Sequence, residues 1–444
     1  MKYMSTSKYK EPLLLLTGDL IVLIASLWLS LFFRSFEFPG SSLFFEHLAP
    51  FGVLFVLWGI VYYIAGLYDK HILVLRSQLL GILFNTQVVN SFIAVLFFYL
   101  IPFAGITPKT ILLFFLIISF GLLALWRMYG RTLIGSRRKE LALLIGSGEE
   151  SRQLWRVVNT NKNYNLKFHS MVDIESLGTI DFDEEVIRTV YSNNITTIVV
   201  DLKNDKIATI LPKLYNLIFF KIKFIDIYRV YEDIFDRIPL SLVGYSWFLE
   251  NISSSTHIGY DFLKRLMDIV VGTVAALVSL LFYPFVIIAI YLEDRGPIFI
   301  FQERIGRGNT LIRIAKFRTM NNPIDKQITK VGSFLRATRI DELPQLWSIL
   351  AGSLSLVGPR PELPALVQHY EKEIPYYSVR HLIKPGLSGW AQIKDYNAPR
   401  VVADVQKTKS KLSYDLYYLK NRSFILDLKI ALRTLKTLLS RSGV

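Results

Sequence analysis

The sequence predicts a membrane protein in three parts. These are a four-helix transmembrane bundle (1–135), a Rossmann-like α/β domain (136–255) and a C-terminal α/β domain (256–444) with a re-entrant membrane helix at about 262–292. Three observations predict it. Long apolar runs crowd the first 130 residues, a strand-turn-helix pattern opens at 140, and a further apolar run beyond 260 is broken by a proline and followed by basic chain. With 444 residues, 52% of them hydrophobic, the chain is too long and too apolar for one soluble domain.

Four apolar stretches lie at about 12–33, 48–67, 79–101 and 110–128, each near the roughly 20 residues that cross a bilayer core. The first follows Lys2, Lys8 and Lys10, lacks a small-residue cleavage site and precedes three more spans, so it reads as a retained helix. Lys70 and Arg76, and then Arg127, Arg131, Arg137, Arg138 and Lys139, make alternate connections basic. By the positive-inside bias, the amino terminus and everything after 130 face the cytoplasm.

The second part opens with "ELALLIGSGEESRQLWRVV", an apolar strand, a Gly-rich turn and a helical pattern. "ITTIVVDL" (195–202) and "KIKFIDIYRVY" (221–231) read as further buried strands around a helix at about 205–218. In the turn Gly146-Ser147-Gly148, Ser151 stands where a dinucleotide fingerprint has its third glycine. Two readings stay open: an FMN or NAD site, or the favoured one, glycines that permit a tight turn in a regulatory or dimerising domain.

The fifth apolar stretch runs from Leu266 to Leu292 with Asp268 as its single charge. Crossing would carry a Lys- and Arg-rich chain to the outside without a return span, against the charge bias. Pro284 removes a backbone hydrogen bond inside the stretch, so the reading is a helix-break-helix that enters and returns on one side. Carbonyls freed at the bend then need hydroxyls, and Ser279 is placed for that. Asp268, at shallow depth, calls for an arginine or amide partner. Lys264 and Arg265 sit at headgroup level, either as helix anchors or against a lipid phosphate.

Arg304, Arg307, Arg313, Lys316, Arg318, Arg336, Arg339, Arg360 and Lys384 follow within about 80 residues, a density that needs acids or bound anions to offset it. Phosphate is the natural guest. Nucleic acid is set aside, because no helix-turn-helix or stacking array accompanies the charge and the region is tethered to a bilayer. The absence of cysteine removes disulfides, thiolate chemistry and Cys-ligated metals.

Asp341 and Glu342 are adjacent, and Pro344 opens a helix whose Leu343, Leu346, Trp347 and Leu350 share one core-facing side. Such a pair can divide labour, one carboxylate attacking phosphorus and the other holding Mg2+ against diphosphate oxygens. The plainer reading is a helix amino terminus salt-bridged to nearby arginines. Arg360, in Gly358-Pro359-Arg360-Pro361, offers a guanidinium on a constrained turn, and Lys384 precedes a second stiff turn in which Trp390 reads as a packing residue.

Taken together, "KRLMDIV", "GPIFIFQERIG", "KFRTM", "DELPQL", "SLVGPRPE", "KPGLSGWAQI" and "YDLYYLKNRSFILDLKI" resemble the monotopic phosphoglycosyl transferases. The layout is similar to their long form, the bacterial undecaprenyl-phosphate sugar phosphotransferases that initiate exopolysaccharide or O-antigen synthesis. The resemblance implies Asp341 as nucleophile, Glu342 as Mg2+ ligand, Arg336 and Arg360 as phosphate binders, and Pro284 as the break of a membrane hairpin. Lys264, Arg265, Lys316, Arg318 and Lys384 complete the expected phosphate-binding set. Ser348, Ser353 and Leu354 stand where members often have Asn, Asp and Met.

The implied reaction passes sugar 1-phosphate from a UDP-sugar, with UDP-glucose or UDP-galactose the long-form norm, to polyprenyl phosphate through a phosphosugar ester on Asp341. The expected setting is the bacterial inner membrane, with the catalytic domain cytoplasmic and the protein a homodimer. A membrane scaffold that binds sugar nucleotide or lipid without turnover is the alternative, and the intact Asp-Glu pair argues against it. The end of the chain reads as an amphipathic tail, at the membrane surface or packed on the catalytic domain.

Overall fold

The computed structural model describes residues 5–68, 76–100, 109–133, 139–161, 164, 166–176, 186–202, 204–252, 258–321, 327–394 and 404–439. The basic segments at Lys70 and at Arg137, Arg138, which orient the chain in the sequence reading, lie outside the described residues. Two compact units form. One joins Met1–Leu143 with Trp155–Met171 and Asp183–Thr197, the other Leu144–Leu154 and Val172–Phe182 with Ile198–Val444.

The first four helices are α1 (Ser5–Ser35), α2 (Ser41–Ile64), α3 (Arg76–Leu100) and α4 (Lys109–Leu133). Their apolar cores, Leu13–Ser35, Ser41–Ile64, Leu79–Tyr99 and Thr110–Tyr129, are each long and apolar enough to cross a membrane. Gly18 lets α1 and α4 approach closely, since a Cβ there would fall on the Trp126 ring. Inside the bundle, Arg127 pairs with Asp19, which also accepts from the Tyr68 hydroxyl at 2.8 Å, and Arg127 donates to the Leu67 carbonyl at 2.7 Å. A buried charge is thus met by a complete set of partners.

In the α/β part, β1 (Glu140–Ile145) is followed by α5 (Gly148–Thr160), β2 (Leu166–Val172), α6 (Arg188–Ser192), β3 (Thr197–Val200), α7 (Asp205–Ala208), α8 (Leu211–Asn216) and β4 (Lys223–Asp226). The sheet order β2-β1-β3-β4, with helical crossovers, is that of an open α/β sheet. Two expectations are corrected. The sequence reading missed β2. The strand read over 221–231 also stops at Asp226, whose carboxylate accepts from the Tyr228 amide at 2.9 Å and so starts α9 (Ile227–Phe235). Helix α10 (Tyr245–Asn251) ends this part.

The fifth apolar stretch forms α11 (Ile258–Leu280) and α12 (Tyr283–Asp294), bent by 51° at the break, with Pro284 in the first turn of α12. The Ser279 hydroxyl donates to the Ala276 carbonyl at 2.7 Å beside the bend. Asp268 finds a hydroxyl and a backbone amide, accepting from Ser355 Oγ at 3.1 Å and Leu356 N at 2.9 Å. One face of α11 packs Ala276 against Ile314, Leu346, Ile349 and Leu354, while Val286 and Ile290 of α12 pack on Phe317 and Leu335. Phe262, Leu266, Val270, Val274 and Leu277 stay exposed on α11, an apolar stripe suited to lipid.

Beyond the bend, β5 (Phe299–Ile305) pairs antiparallel with β6 (Leu311–Phe317), followed by α13 (Lys330–Thr338), α14 (Gln345–Ala351) and β7 (Ser355–Val357). Helix α15 (Pro364–Glu373) leads to β8 (Gly386–Ser388), which runs parallel to β7. Helices α16 (Trp390–Lys394), α17 (Val405–Lys420) and α18 (Phe424–Leu439) end the described chain. The tail packs on its own domain, with Asp427 of α18 fully buried and accepting from Lys264, Tyr260 and Tyr418.

Candidate active site

Asp341 and Glu342 lie in a 3₁₀ turn, Ile340–Glu342, between α13 and α14. Arg339 enters this turn with a left-handed backbone (φ 60°), which ends α13 sharply and re-aims the chain. Helix α13 is itself seated tightly: Thr329 caps it by accepting from the Gly332 amide at 2.8 Å, and a Cβ on Gly332 would strike the Thr319 carbonyl. The turn that carries the carboxylates is therefore fixed by backbone packing. Of the helix face expected to be buried, Leu343, Leu346 and Leu350 pack inward. Trp347 does not. It is 45% exposed, Ile349 takes the core position, and the Trp347 indole N–H donates to the Tyr283 hydroxyl at 3.3 Å.

Glu342 sits inside a ring of cations. It accepts from Arg360 at 2.8 Å, from Lys316 of β6 at 3.2 Å and from Arg339 at 3.4 Å. Burial alone would raise its pKa, but Arg360, Lys316 and Arg339 override that and hold it well below the usual carboxylate range. Asp341 is the opposite case. Burial, and then the neighbouring Glu342 charge, push its pKa from 3.8 up to about 6, against the pull of Lys316, Arg339 and Arg336. Its Oδ1 is buried with no hydrogen-bond partner among the described residues. Two adjacent carboxylates with pKa values driven apart are equipped for different tasks.

Arg360 follows β7 on a turn that β8 braces. Gly358 N donates to Ser388 O at 2.8 Å and Gly386 N to Pro359 O at 2.9 Å, and a Cβ on Gly386 would fall on Gly358. The Arg360 carbonyl accepts from Arg380 at 3.1 Å, and Arg380 is in turn buried against Asp415 at 2.7 Å.

Of the residues singled out from the sequence, Lys316, Arg360, Asp341 and Glu342 come together, with Arg336 close enough to act on Asp341 while donating to Thr319 Oγ1 at 2.9 Å. Arg318 engages Asp294, including a 2.6 Å contact, and the Pro297 carbonyl at 2.6 Å. Lys264, Arg265 and Lys384 line a separate hollow with Arg307 and Arg422. In it, Lys264 pairs with Asp427 at 3.0 Å, and Arg265 donates at 2.8 Å to the Ile349 and Leu350 carbonyls, capping the end of α14. Ser353 Oγ donates to Ser348 O at 3.1 Å, so two of the positions that depart from the family pattern tie to each other at that same helix end. Sequence reasoning left Arg339 out of the site. Its signal was the spacing of three to Glu342, which becomes a contact only in a helical turn.

Residues 259–441 match the bacterial sugar transferase family. The chain is 40% identical over 198 residues to UDP-N-acetylgalactosamine-undecaprenyl-phosphate N-acetylgalactosaminephosphotransferase of Aeromonas hydrophila, covering 41% of this chain and 45% of that protein. It is 38% identical over 197 residues to UDP-glucose:undecaprenyl-phosphate glucose-1-phosphate transferase of Caulobacter vibrioides, covering 41% and 72%. It is 35% identical over 194 residues to an exopolysaccharide production protein of Rhizobium leguminosarum, covering 40% and 96%. The similarity thus spans less than half of the Aeromonas protein and nearly all of the Rhizobium one.

Proposed function

The chain belongs to the bacterial sugar transferase family, and from that premise we propose that it transfers sugar 1-phosphate from a UDP-sugar to polyprenyl phosphate, releasing UMP. The observation that carries the reading is the pair itself: a buried Asp341 with an unpartnered oxygen beside a Glu342 held by Lys316, Arg339 and Arg360. An Asp341 carboxylate with a pKa near 6 is mostly ionised at pH 7, yet more basic than an exposed one, and its bare oxygen has no hydrogen bond to give up on attack.

In the first step an Asp341 oxygen bonds to the sugar-bearing phosphorus, the bond from that phosphorus to the bridging oxygen breaks, and UMP leaves with the electron pair. In the second, an oxygen of polyprenyl phosphate attacks the same phosphorus and the Asp341 carboxylate is regenerated. Lys316, Arg339 and Arg360 supply positive charge for the diphosphate oxygens throughout.

Glu342 is the carboxylate that would hold Mg2+, its contacts with Lys316, Arg339 and Arg360 giving way in part to the ion, while Asp341 stays free to attack. No group of three His, Asp or Glu gathers among the described residues, so the diphosphate and waters would complete the shell, as is usual for this ion. When bound, Mg2+ would neutralise charge on the diphosphate.

We place the domain on the cytoplasmic face of the bacterial inner membrane, with α11 and α12 as a re-entrant pair. The 51° bend and the exposed apolar stripe of α11 support this. The test is UMP release by the full-length protein in lipid nanodiscs with polyprenyl phosphate, Mg2+ and a panel of UDP-glucose, UDP-galactose and UDP-N-acetylgalactosamine. Release with one donor, abolished by Asp341→Asn, is expected. Release undiminished in that variant, or none with any donor, refutes the reading.

A further inference from the structure

The α/β part has no role in the chemistry above, and the start of its Gly-rich turn packs closely on α5. A Cβ on Gly146 would meet Ser151 Oγ at 2.7 Å, and Glu150, in the first turn of α5, accepts from the Ser241 hydroxyl and from the Ser241 amide at 3.2 Å. The far end of α9 is engaged elsewhere. Asp236, which ends α9 with a left-handed backbone (φ 53°), accepts from the buried Trp390 indole N–H at its carbonyl (2.9 Å). Its carboxylate accepts from Lys394 at 2.9 Å and from Tyr417 at 3.3 Å. Around this centre, Ile238 N donates to Ser413 O at 3.1 Å, Ser413 Oγ donates back to Ile238 O, and Lys420 pairs with Glu232 at 2.6 Å.

Helix α16 has five residues and β8 three, too few for either to hold its own geometry. What they dock against decides where they sit. At their junction Gly389 lies on Gly358, whose carbonyl oxygen is 2.5 Å from where a Cβ on Gly389 would be, and Gly358 N donates to Ser388 O at 2.8 Å. Two residues later comes Arg360, which donates to Glu342 at 2.8 Å. A continuous path of short, packed contacts thus runs from Asp236 through Trp390 and Lys394 to the Arg360 turn.

We propose that Asp236 is a positioning residue, and that the α/β domain serves as a brace which sets the Arg360 turn for diphosphate binding. The proposal rests on the reading of Arg360 and Glu342 given above. It assigns the domain a mechanical task instead of a nucleotide ligand.

Asp236→Asn keeps a residue type that tolerates the left-handed backbone, and Lys394→Gln removes the opposing charge. Each, in the full-length protein in nanodiscs, is compared with wild type for UDP-sugar affinity by calorimetry, for kcat and KM, and for the unfolding midpoint. Lys420→Gln cuts the same seam at Glu232, away from the path. Both path variants are expected to weaken UDP-sugar binding and lower kcat/KM by roughly tenfold, as small misplacements at a site do. Lys420→Gln should leave both unchanged, and the D236N/K394Q double variant, an amide pair, should recover most of the loss.

Path variants that bind UDP-sugar like wild type overturn the proposal. So does a kinetic loss equal in Lys420→Gln, which would be general destabilisation. A wild type that does not bind UDP-sugar at all instead overturns the underlying function.

Discussion

Replacing Asp341 with Asn should remove activity and make the protein more stable, with the second effect depending on pH in a defined way. Asp341 is 8% exposed and its pKa rises from 3.8 to about 6 on folding. Because the folded state holds this proton more tightly than the unfolded chain, the group favours folding below pH 4, and that contribution is lost as pH rises through about 6. The interval from 3.8 to about 6 corresponds to roughly 3 kcal/mol of destabilisation carried by the ionised form. Asn has no charge to bury. Denaturant unfolding of wild type and Asp341→Asn in detergent should show the variant more stable by up to about 3 kcal/mol at pH 7.5, with the gap narrowing through pH 6 and closing near pH 4. A gap that is absent at pH 7.5, or the same at every pH, would refute the assignment of a buried charge to Asp341 that its neighbouring cations only partly offset.

UMP release should fall about tenfold per pH unit below the Asp341 pKa of about 6, because the proposed attack needs the ionised carboxylate; initial rates from pH 5 to 8 at saturating donor measure the limb. Arg360→Ala should reduce kcat/KM more than Arg339→Ala, since Arg360 meets Glu342 at 2.8 Å and Arg339 at 3.4 Å; a loss of roughly 100-fold or more for Arg360 is expected. Arg318→Ala should lower stability by about 2 kcal/mol, through loss of its Asp294 and Pro297 contacts, while KM for the donor holds. Gly332→Ala should destabilise more than Gly308→Ala. A Cβ at Gly332 meets the Thr319 backbone, whereas Gly308 has open space and only a positive φ of 63° to resist; unfolding midpoints of the two variants decide it.

The fold was legible where chemistry along the chain is strong and local. The apolar runs marked at about 12–33, 48–67, 79–101 and 110–128 each overlap one of α1 to α4, the second starting seven residues late and ending three past Ile64. Pro284 marked the bend because a missing amide acts on its own helix wherever that helix lies. The strand read over 221–231 failed at Asp226 for an equally local reason, an Asx cap competing with an apolar run that suited strand and helix alike. β2 went unread because "LKFHSMV" alternates too weakly to stand out from loop.

By itself, the sequence determined which residue types crowd into the last 180 positions, that two carboxylates would be adjacent, and that their surroundings would be cationic. The tertiary structure decided which cations face them. Lys316, Arg339 and Arg360 come from a strand, a helix end and a turn that contact one another only after packing. Arg318, one residue from Phe317 on the same run, is taken by Asp294, and Lys264 by Asp427, 163 residues away. Composition fixes the charge available, but the choice between a structural ion pair and a free phosphate ligand depends on distances of a few ångströms across the fold. The hydrogen bond between Trp390 and Asp236, 154 residues apart in sequence, was decided in the same way.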